Sequence, residues 1–563
     1  MIRSLRMPIF AFALAVLLVA CGNGSVSVLP TGSSGGTSTG AGASSSSSSS
    51  SGGSSSSGAT ATADVLTYHY DTMRTGQNLN ETTLTPTNVN SSGFGLLRIL
   101  AADGLVDAAP LIVTNLTVNG SAHNVVYVES EHDTVYAYDT DTGALLKQVS
   151  LLGSGETPSD SRGCGQVQPD IGITSTPVID RSAGPNGTMF VVAMSKNGSG
   201  TYYQRLHALD LVSLADRMTP VSIEATVPGT AYGASGQVAF VTDQYKERGA
   251  LLLQQGQIFT VWASHCDDGA YNGWVIAYNE TTLTQTQVLN LTPNGSQGAI
   301  WDVSGVAADG DGAMYTLLGN GIFDTTLDTN NLPLHQDYGN TAVKMSLGTS
   351  GALAVSDYFA PSNTTVESQG DIDLGSGSPL LLPDQVDSSG VTRHLMLAMG
   401  KDTNLYLLNR DNMGKFNSGS NQIFQEVSNS LSGGVFSAPV YFAGSIYFAD
   451  VGGTLKQYAL SAARLPTSAT SQSTVTFAFP GASPSISANG GSSAIVWAVQ
   501  SNTSSAAVLH AYNPANLAVE YYNSTQAGSR DGFGSGNKFV TPVVSAGKVF
   551  VGTPSGVAEF GLL

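Results

Sequence analysis

The stretch Asn124 to Gln148, NVVYVESEHDTVYAYDTDTGALLKQ, holds one complete structural unit. Val125 to Val128 and Val135 to Tyr138 are rich in β-branched and aromatic residues, and the polar tip Glu131-His132-Asp133 separates them, so the two runs are expected to form a β-hairpin. Asp139 to Gly143 has the Asx and glycine chemistry of a turn, and Ala144 to Val149 can return as a third strand.

The hexapeptide Thr134 to Asp139 (TVYAYD) follows a pattern: any residue, apolar, any, usually Ala, apolar, then Asp or Asn. It recurs as RLHALD (205–210), WVIAYN (274–279), TAVKMS (341–346), NLYLLN (404–409), TLKQYA (454–459), VLHAYN (508–513) and GVAEFG (556–561), eight copies in all. Ahead of six of them comes a second element, small residues and then a proline: Pro110, Pro177, Pro379, Pro439, Pro484 and Pro542. Proline suits the first position of a strand, where its missing N–H leaves no ladder bond unmade. Each unit then has four strands: a proline-led A, the hairpin B and C, and D after the Asp/Asn turn. The last unit runs out of chain before a D strand, while Gly95 to Leu100 (GLLRIL) is a strand without a unit. Joining the two closes a ring, which predicts an all-β fold: an eight-bladed β-propeller of four-stranded antiparallel blades, the last closed by the N-terminal strand.

Three segments are expected. Residues 1–20 have Arg3 and Arg6 ahead of an apolar run from Ile9 to Val19, too short to span a membrane, and read as an export signal. The run ends in Leu18-Val19-Ala20-Cys21, which resembles the lipobox of bacterial lipoproteins, with Cys21 the lipidated residue. Gly22 follows where Asp would mark inner-membrane retention, so the resemblance points to an outer-membrane lipoprotein, facing the periplasm or the surface. Residues 21–64 are Ser, Gly, Thr and Ala, a flexible tether with a mean span of roughly 35 Å. Residues 65–563 are the propeller.

Composition agrees with many short strands and turns: only 11% of residues are charged, and there are 65 glycines. The formal charge is −19, which argues against nucleic acid and anionic membrane surfaces as partners. A monomer is expected, touching the membrane through its lipid anchor only.

Residues Ala137 to Lys147 resemble the repeat of the quinoprotein dehydrogenases, the PQQ-like propeller superfamily, whose pattern is A-x-D-x-x-T-G-x-x-x-W. Lys147 stands in place of the docking Trp, and so do Gln287 and Tyr521 in other units. Tyr68 to Gly76 (YHYDTMRTG) resembles the Asp-to-Arg-Thr-Gly lead-in of such propellers, and Gly400 to Leu407 resembles their G-K-D-G-x-x-Y hairpin. The resemblance implies the fold. The enzymes of that family hold pyrroloquinoline quinone (PQQ) against a Trp, under a vicinal Cys-Cys disulfide, with Ca²⁺ bound by Glu, Asn and Asp. This chain has no adjacent cysteines, and no such ligand set transfers residue by residue. No cofactor is therefore expected. The leading function is a non-catalytic binding or assembly scaffold of the envelope, for which the eight-bladed lipoprotein of the outer-membrane barrel-assembly machinery is the precedent. The alternative is a PQQ- and Ca²⁺-dependent dehydrogenase of alcohols or sugars.

The B–C and D–A loops share one face, the expected site for an envelope protein or small ligand. It collects Glu131, His132, Asp133, His265, Asp267, Asp268, Lys401 and Asp402 at B–C tips. No metal-ligand spacing occurs among them, no catalytic residue can be named, and short polar residues at hairpin tips are commonly turn formers. With Cys21 acylated, Cys164 and Cys266 remain, on the same face of neighbouring blades. One bridge is feasible, closing a loop worth about 4 to 5 kcal/mol by chain entropy. Two separate buried thiols are the other possibility.

Overall fold

The computed structural model describes residues 63–349, 351–501 and 505–563; Cys21 and the rest of the chain before residue 63 lie outside them. Blade 1 consists of Leu111–Val118, Ser121–Glu129, Thr134–Asp139 and Leu145–Ser150, hydrogen-bonded in that order and antiparallel throughout. The same A-B-C-D order recurs in seven further sheets, whose A strands are Val178–Asp180, Leu252–Gln254, Ala307–Ala308, Leu380–Leu381, Val440–Phe442, Ser485–Asn489 and Val543–Ser545. The protein is an eight-bladed β-propeller.

The expected closure is present. Phe94–Ala101 pairs antiparallel with Gly556–Leu562 and supplies the D strand of blade 8, joining the beginning of the propeller to its end.

Both faces of each sheet are buried, and for that reason the strands read as nearly continuous apolar runs. In blade 7, Ile495, Trp497 and Val499 pack toward blade 8 with Val549, Val551 and Phe560. The alternate residues Ala494, Val496 and Ala498 pack toward blade 6 with Tyr447 and Leu455. Period-two alternation therefore chooses between neighbouring blades, not between core and water.

The lead-in motif fills the channel at the centre of the ring. At the second residue of strand A, the backbone amides of Ile112, Ile179, Ala308, Leu381, Tyr441 and Ile486 donate to the carbonyls of Val65, Leu66, Thr72, Met73, Thr75 and Gly76. In blade 8 the equivalent amide of Val544 donates to the Tyr70 hydroxyl at 2.8 Å. Blade 3 is reached by Arg74, whose buried guanidinium donates to the Leu251 carbonyl at 3.2 Å and to the blade 4 carbonyl of Val306 at 3.2 Å. The strap thus satisfies the inner edges of the ring, which would otherwise face an open channel. It enters at Ala63 and Asp64, which bond Ser545 at the end of the blade 8 A strand and Thr114 midway along that of blade 1. That end lies opposite the one where the A strands begin.

Candidate functional site

The loops that lead into the A strands meet around the channel mouth. Counting three residues back from each A-strand proline, or from its counterparts Leu251 and Val306, gives one ring position per blade. Asp107, Arg248, Phe436 and Phe539 occupy it in blades 1, 3, 6 and 8. Two cavities of about 280 and 300 Å³ open there, and Gln166, Arg248 and Phe539 line both, so they form one divided cleft.

One wall is an aromatic arc. Trp301 and Phe436 have ring centroids 5.9 Å apart, Phe436 and Phe479 5.1 Å, and Phe479 and Phe539 5.9 Å. Arg248 lies 4.0 Å over the Phe539 ring and 5.6 Å from that of Trp301. Among the described residues its guanidinium, with five donors, makes no hydrogen bond or ion pair; burial pulls its pKa down to about 10, against the attraction of Asp107 and Asp302. Lys246 is buried beside it, and burial followed by the Arg248 charge lowers its ammonium to about 8. Lys401 is held differently, paired to Asp371 at 2.8 Å and Asp373 at 2.5 Å.

Opposite stands a carboxyl pair. Asp107 and Glu131 stand next to each other; burial raises both carboxyls, and for Glu131 the neighbouring Asp107 charge adds to the rise. Glu131 Oε2 accepts from the Gly172 amide at 2.8 Å and the Thr174 hydroxyl at 2.9 Å. The floor is the strap: the Tyr68 hydroxyl bonds Thr541, and Asp302 is raised to about 6 by burial against the hydrogen bonds of Ser304 and Ser378. The roof is residues 163–168, and a disulfide joins Cys164 to Cys266 with a Cα separation of 5.5 Å.

The tip residues named from sequence divide between cleft and periphery. Glu131, Asp267 and Lys401 stand at the cleft. His132 instead faces outward, its Nδ1 2.9 Å from Asp170, and Asp268 is an exposed turn residue. Asp402 accepts from Tyr406 and Asn404 within its own hairpin. Three of the tip residues are buried, though they sit at hairpin turns. Glu131 and Asp133 are buried because the blade 1 to blade 2 connection packs over their tip, and both Asp133 oxygens lack a partner. His265 is buried with neither nitrogen bonded, and burial lowers it to about 3. Sequence reasoning missed Arg248, Lys246, Asp107 and the aromatic arc. Blades 3 and 4 lack the A-strand proline, so no marker flagged Arg248 or Trp301.

Among the described residues, no group of three His, Cys, Asp or Glu side chains is placed to hold a metal ion. The cleft carboxyls are dispersed: Asp371 and Asp373 pair with Lys401, Asp267 accepts from Ser264 and Tyr271, and Asp302 accepts from Ser304, so they do not converge as a Ca²⁺ ligand set beside a quinone. Arg248, Lys246 and the Trp301 face suit a flat organic anion, but the donor set does not fit the calcium-bound cofactor.

No protein-family profile matches the chain, and no curated protein matches it in sequence. Solved structures do match. The quinohemoprotein alcohol dehydrogenase of Comamonas testosteroni superposes with a TM-score of 0.58 at 15% identity, covering 88% of this chain and 80% of that one. The quinohemoprotein alcohol dehydrogenase ADHIIG of Pseudomonas putida HK5 gives 0.57 at 13% identity, with coverage of 89% and 80%. BamB from Moraxella catarrhalis gives 0.47 at 11% identity, covering 84% of this chain and all of that one. At these identities the likeness is one of fold alone: the chain shares the eight-bladed propeller architecture of the two alcohol dehydrogenases.

Proposed function

We propose that the protein is a non-catalytic binding propeller of the bacterial envelope, tethered through Cys21 at the outer membrane, and that its ligand or partner group seats in the central cleft. The observation that carries this is Arg248: a guanidinium stacked on Phe539, free of hydrogen bonds to the described residues, facing both cavities. A carboxylate or phosphate would complete it, with Lys246 and Lys538 as further cations and the aromatic arc taking an apolar body. A small organic anion and an acidic side chain of an envelope protein both present this chemistry.

The runner-up, a PQQ- and Ca²⁺-dependent dehydrogenase of alcohols or sugars, is favoured by the flat Trp301 face beside two cations. One experiment separates the two. Purified protein is titrated with a panel of di- and tricarboxylates and sugar phosphates while melting is followed. Arg248→Met should weaken any binder roughly 10- to 100-fold, with Arg248→Lys intermediate. In a parallel arm, PQQ and Ca²⁺ are added and dye reduction is followed with ethanol and glucose; cofactor-dependent turnover rejects the non-catalytic reading. For the anchor, Cys21→Ser should release the protein from membranes, and unchanged membrane association rejects the lipobox.

A further inference from the structure

The roof of the cleft is built unlike the walls. The connection from blade 1 to blade 2 runs out as Glu156–Asp160, which pairs with the end of Thr188–Asn197, and comes back as Asp170–Ile171, paired to the outgoing arm. Between the arms the chain crosses the channel mouth. Residues 165–168 line the larger part of this crossing and make no backbone-to-backbone hydrogen bond. Their contacts to the body are few: Lys538 Nζ reaches the Gly165 carbonyl at 3.5 Å, and Val167 packs in a small cluster with Ile171 and Met194.

The root of the crossing is firmly held. Arg162 donates to the Asp243 carbonyl and carboxylate, each at 3.0 Å, and to the Tyr202 hydroxyl at 2.9 Å. Beyond that root, the one covalent tie is Cys164 to Cys266, which reaches across to the B–C tip of blade 3. The two cysteines differ in exposure: Cys164 is 1% exposed, whereas Cys266 is an exposed tip residue. Cys266 and Asp267 both have positive φ, 53° and 58°, and the tip is kept in shape by the Asp267 carboxylate, which accepts from Ser264 and Tyr271.

We propose that residues 163–168 form a lid over the central cleft, latched by the Cys164–Cys266 disulfide and released by a dithiol reductant. The inference rests on the cleft being the binding site, but the lid itself is testable without any ligand. In the release step a thiolate of the dithiol attacks Cys266 Sγ, on the exposed residue of the pair, forming a mixed disulfide and expelling the Cys164 thiolate. The second thiol of the dithiol then displaces Cys266, leaving an oxidised cyclic reductant and two protein thiols that take its two protons. Arg162 keeps the root in place while the crossing swings free of blade 3. A tie between loops of adjacent blades is not needed to hold the sheets, whose closure is made by Phe94–Ala101 and by the strap.

Tryptophan fluorescence reads the lid directly. Trp262, Trp274 and Trp497 are fully buried, and Trp301 alone of the four lines the cleft under Gln166 and Cys266. The full chain carrying Cys21→Ser is treated with dithiothreitol until two thiols per chain titrate, and acrylamide quenching is compared before and after, with far-UV circular dichroism as the control for the sheets. The expected result is a steeper quenching slope with an unchanged dichroism spectrum. The Cys164→Ser, Cys266→Ser double variant should show the steep slope without reductant and should not respond to it. An unchanged slope in fully reduced protein overturns the proposal. So does collapse of the β signal on reduction, or failure of the double variant to fold, since either outcome makes the disulfide a staple of the fold.

Discussion

At the residue scale, the unusual feature is the number of carboxyls kept away from water. Glu129, at the end of the blade 1 B strand, is fully buried with both oxygens unpartnered, and burial raises it to about 8. Glu559 and Glu367 are raised to about 7, in each case chiefly by burial. Because these groups stay protonated in the folded state after the unfolded chain has released its protons near pH 4.5, the folded state binds more protons over that interval. Their contribution to stability is full below the unfolded pKa and is lost as pH rises through the folded one. His69 and His265, lowered to about 3 by burial, act the other way, costing stability as pH falls below about 6.5. Denaturant unfolding should therefore show stability declining from pH 6.5 to 8. Glu129→Gln keeps the shape and removes one titration, and should flatten that decline by up to about 1.4 kcal/mol per pH unit. An identical slope in variant and wild type would mean Glu129 is ionised in the fold.

At the scale of the element, the repeat was readable because its turn is a chemical device. The Asp or Asn that ends the hexapeptide accepts backbone amides in the C–D turn: Asp139 from Thr142 at 2.7 Å, Asp210 from Ser213 at 2.9 Å and Asn279 from Thr282 at 3.1 Å. The blade closed by the N-terminal strand has no such turn, and a different constraint governs its register. Gly556 has φ +150°, and a Cβ there would lie 2.1 Å from the Leu100 carbonyl oxygen on the closing strand. Gly556→Ala should push Phe94–Ala101 away and cost about 1–3 kcal/mol, with proteolysis appearing in residues 94–101. Gly120→Ala is the matched control, with φ +83° and nothing within 4 Å of the added carbon. It should cost about 1 kcal/mol. Equal losses in the two variants would show that the closing strand is not seated against Gly556. The cleft was far less legible than the blades, because the ring position three residues before the proline holds Asp107, Arg248, Phe436 or Phe539 according to blade. A position that varies with function carries no periodic signal, and its chemistry emerges only when the ring brings eight distant loops together.

At the scale of the whole molecule, closure depends on a segment that belongs to no blade. Seven A-strand amides donate to the strap, and Arg74 reaches the remaining blade, so the strap contributes to every sheet at once. Each of those amides would otherwise be an unpaired inner-edge donor, at a cost of about 1–3 kcal/mol where water cannot replace the carbonyl. The sequence marked this stretch through its likeness to a family lead-in, yet neither composition nor periodicity could show that it runs inside the ring, since its contacts are spread over some 480 residues of chain from Val65 to Val544. A deletion series follows from the geometry. Removing residues 1–62 takes away the export-signal segment and nearly all of the Ser/Gly-rich tether, which cannot build a core, and the melting temperature of the remaining propeller should stay the same. Removing residues 1–78 also takes away the strap while sparing the closing strand Phe94–Ala101. That protein should lose several kcal/mol and unfold less cooperatively, and adding residues 63–78 back as a peptide should restore part of the loss. A fully cooperative transition at the original temperature in the longer deletion would mean that the closing strand alone holds the ring, and that the strap is a passenger in the channel.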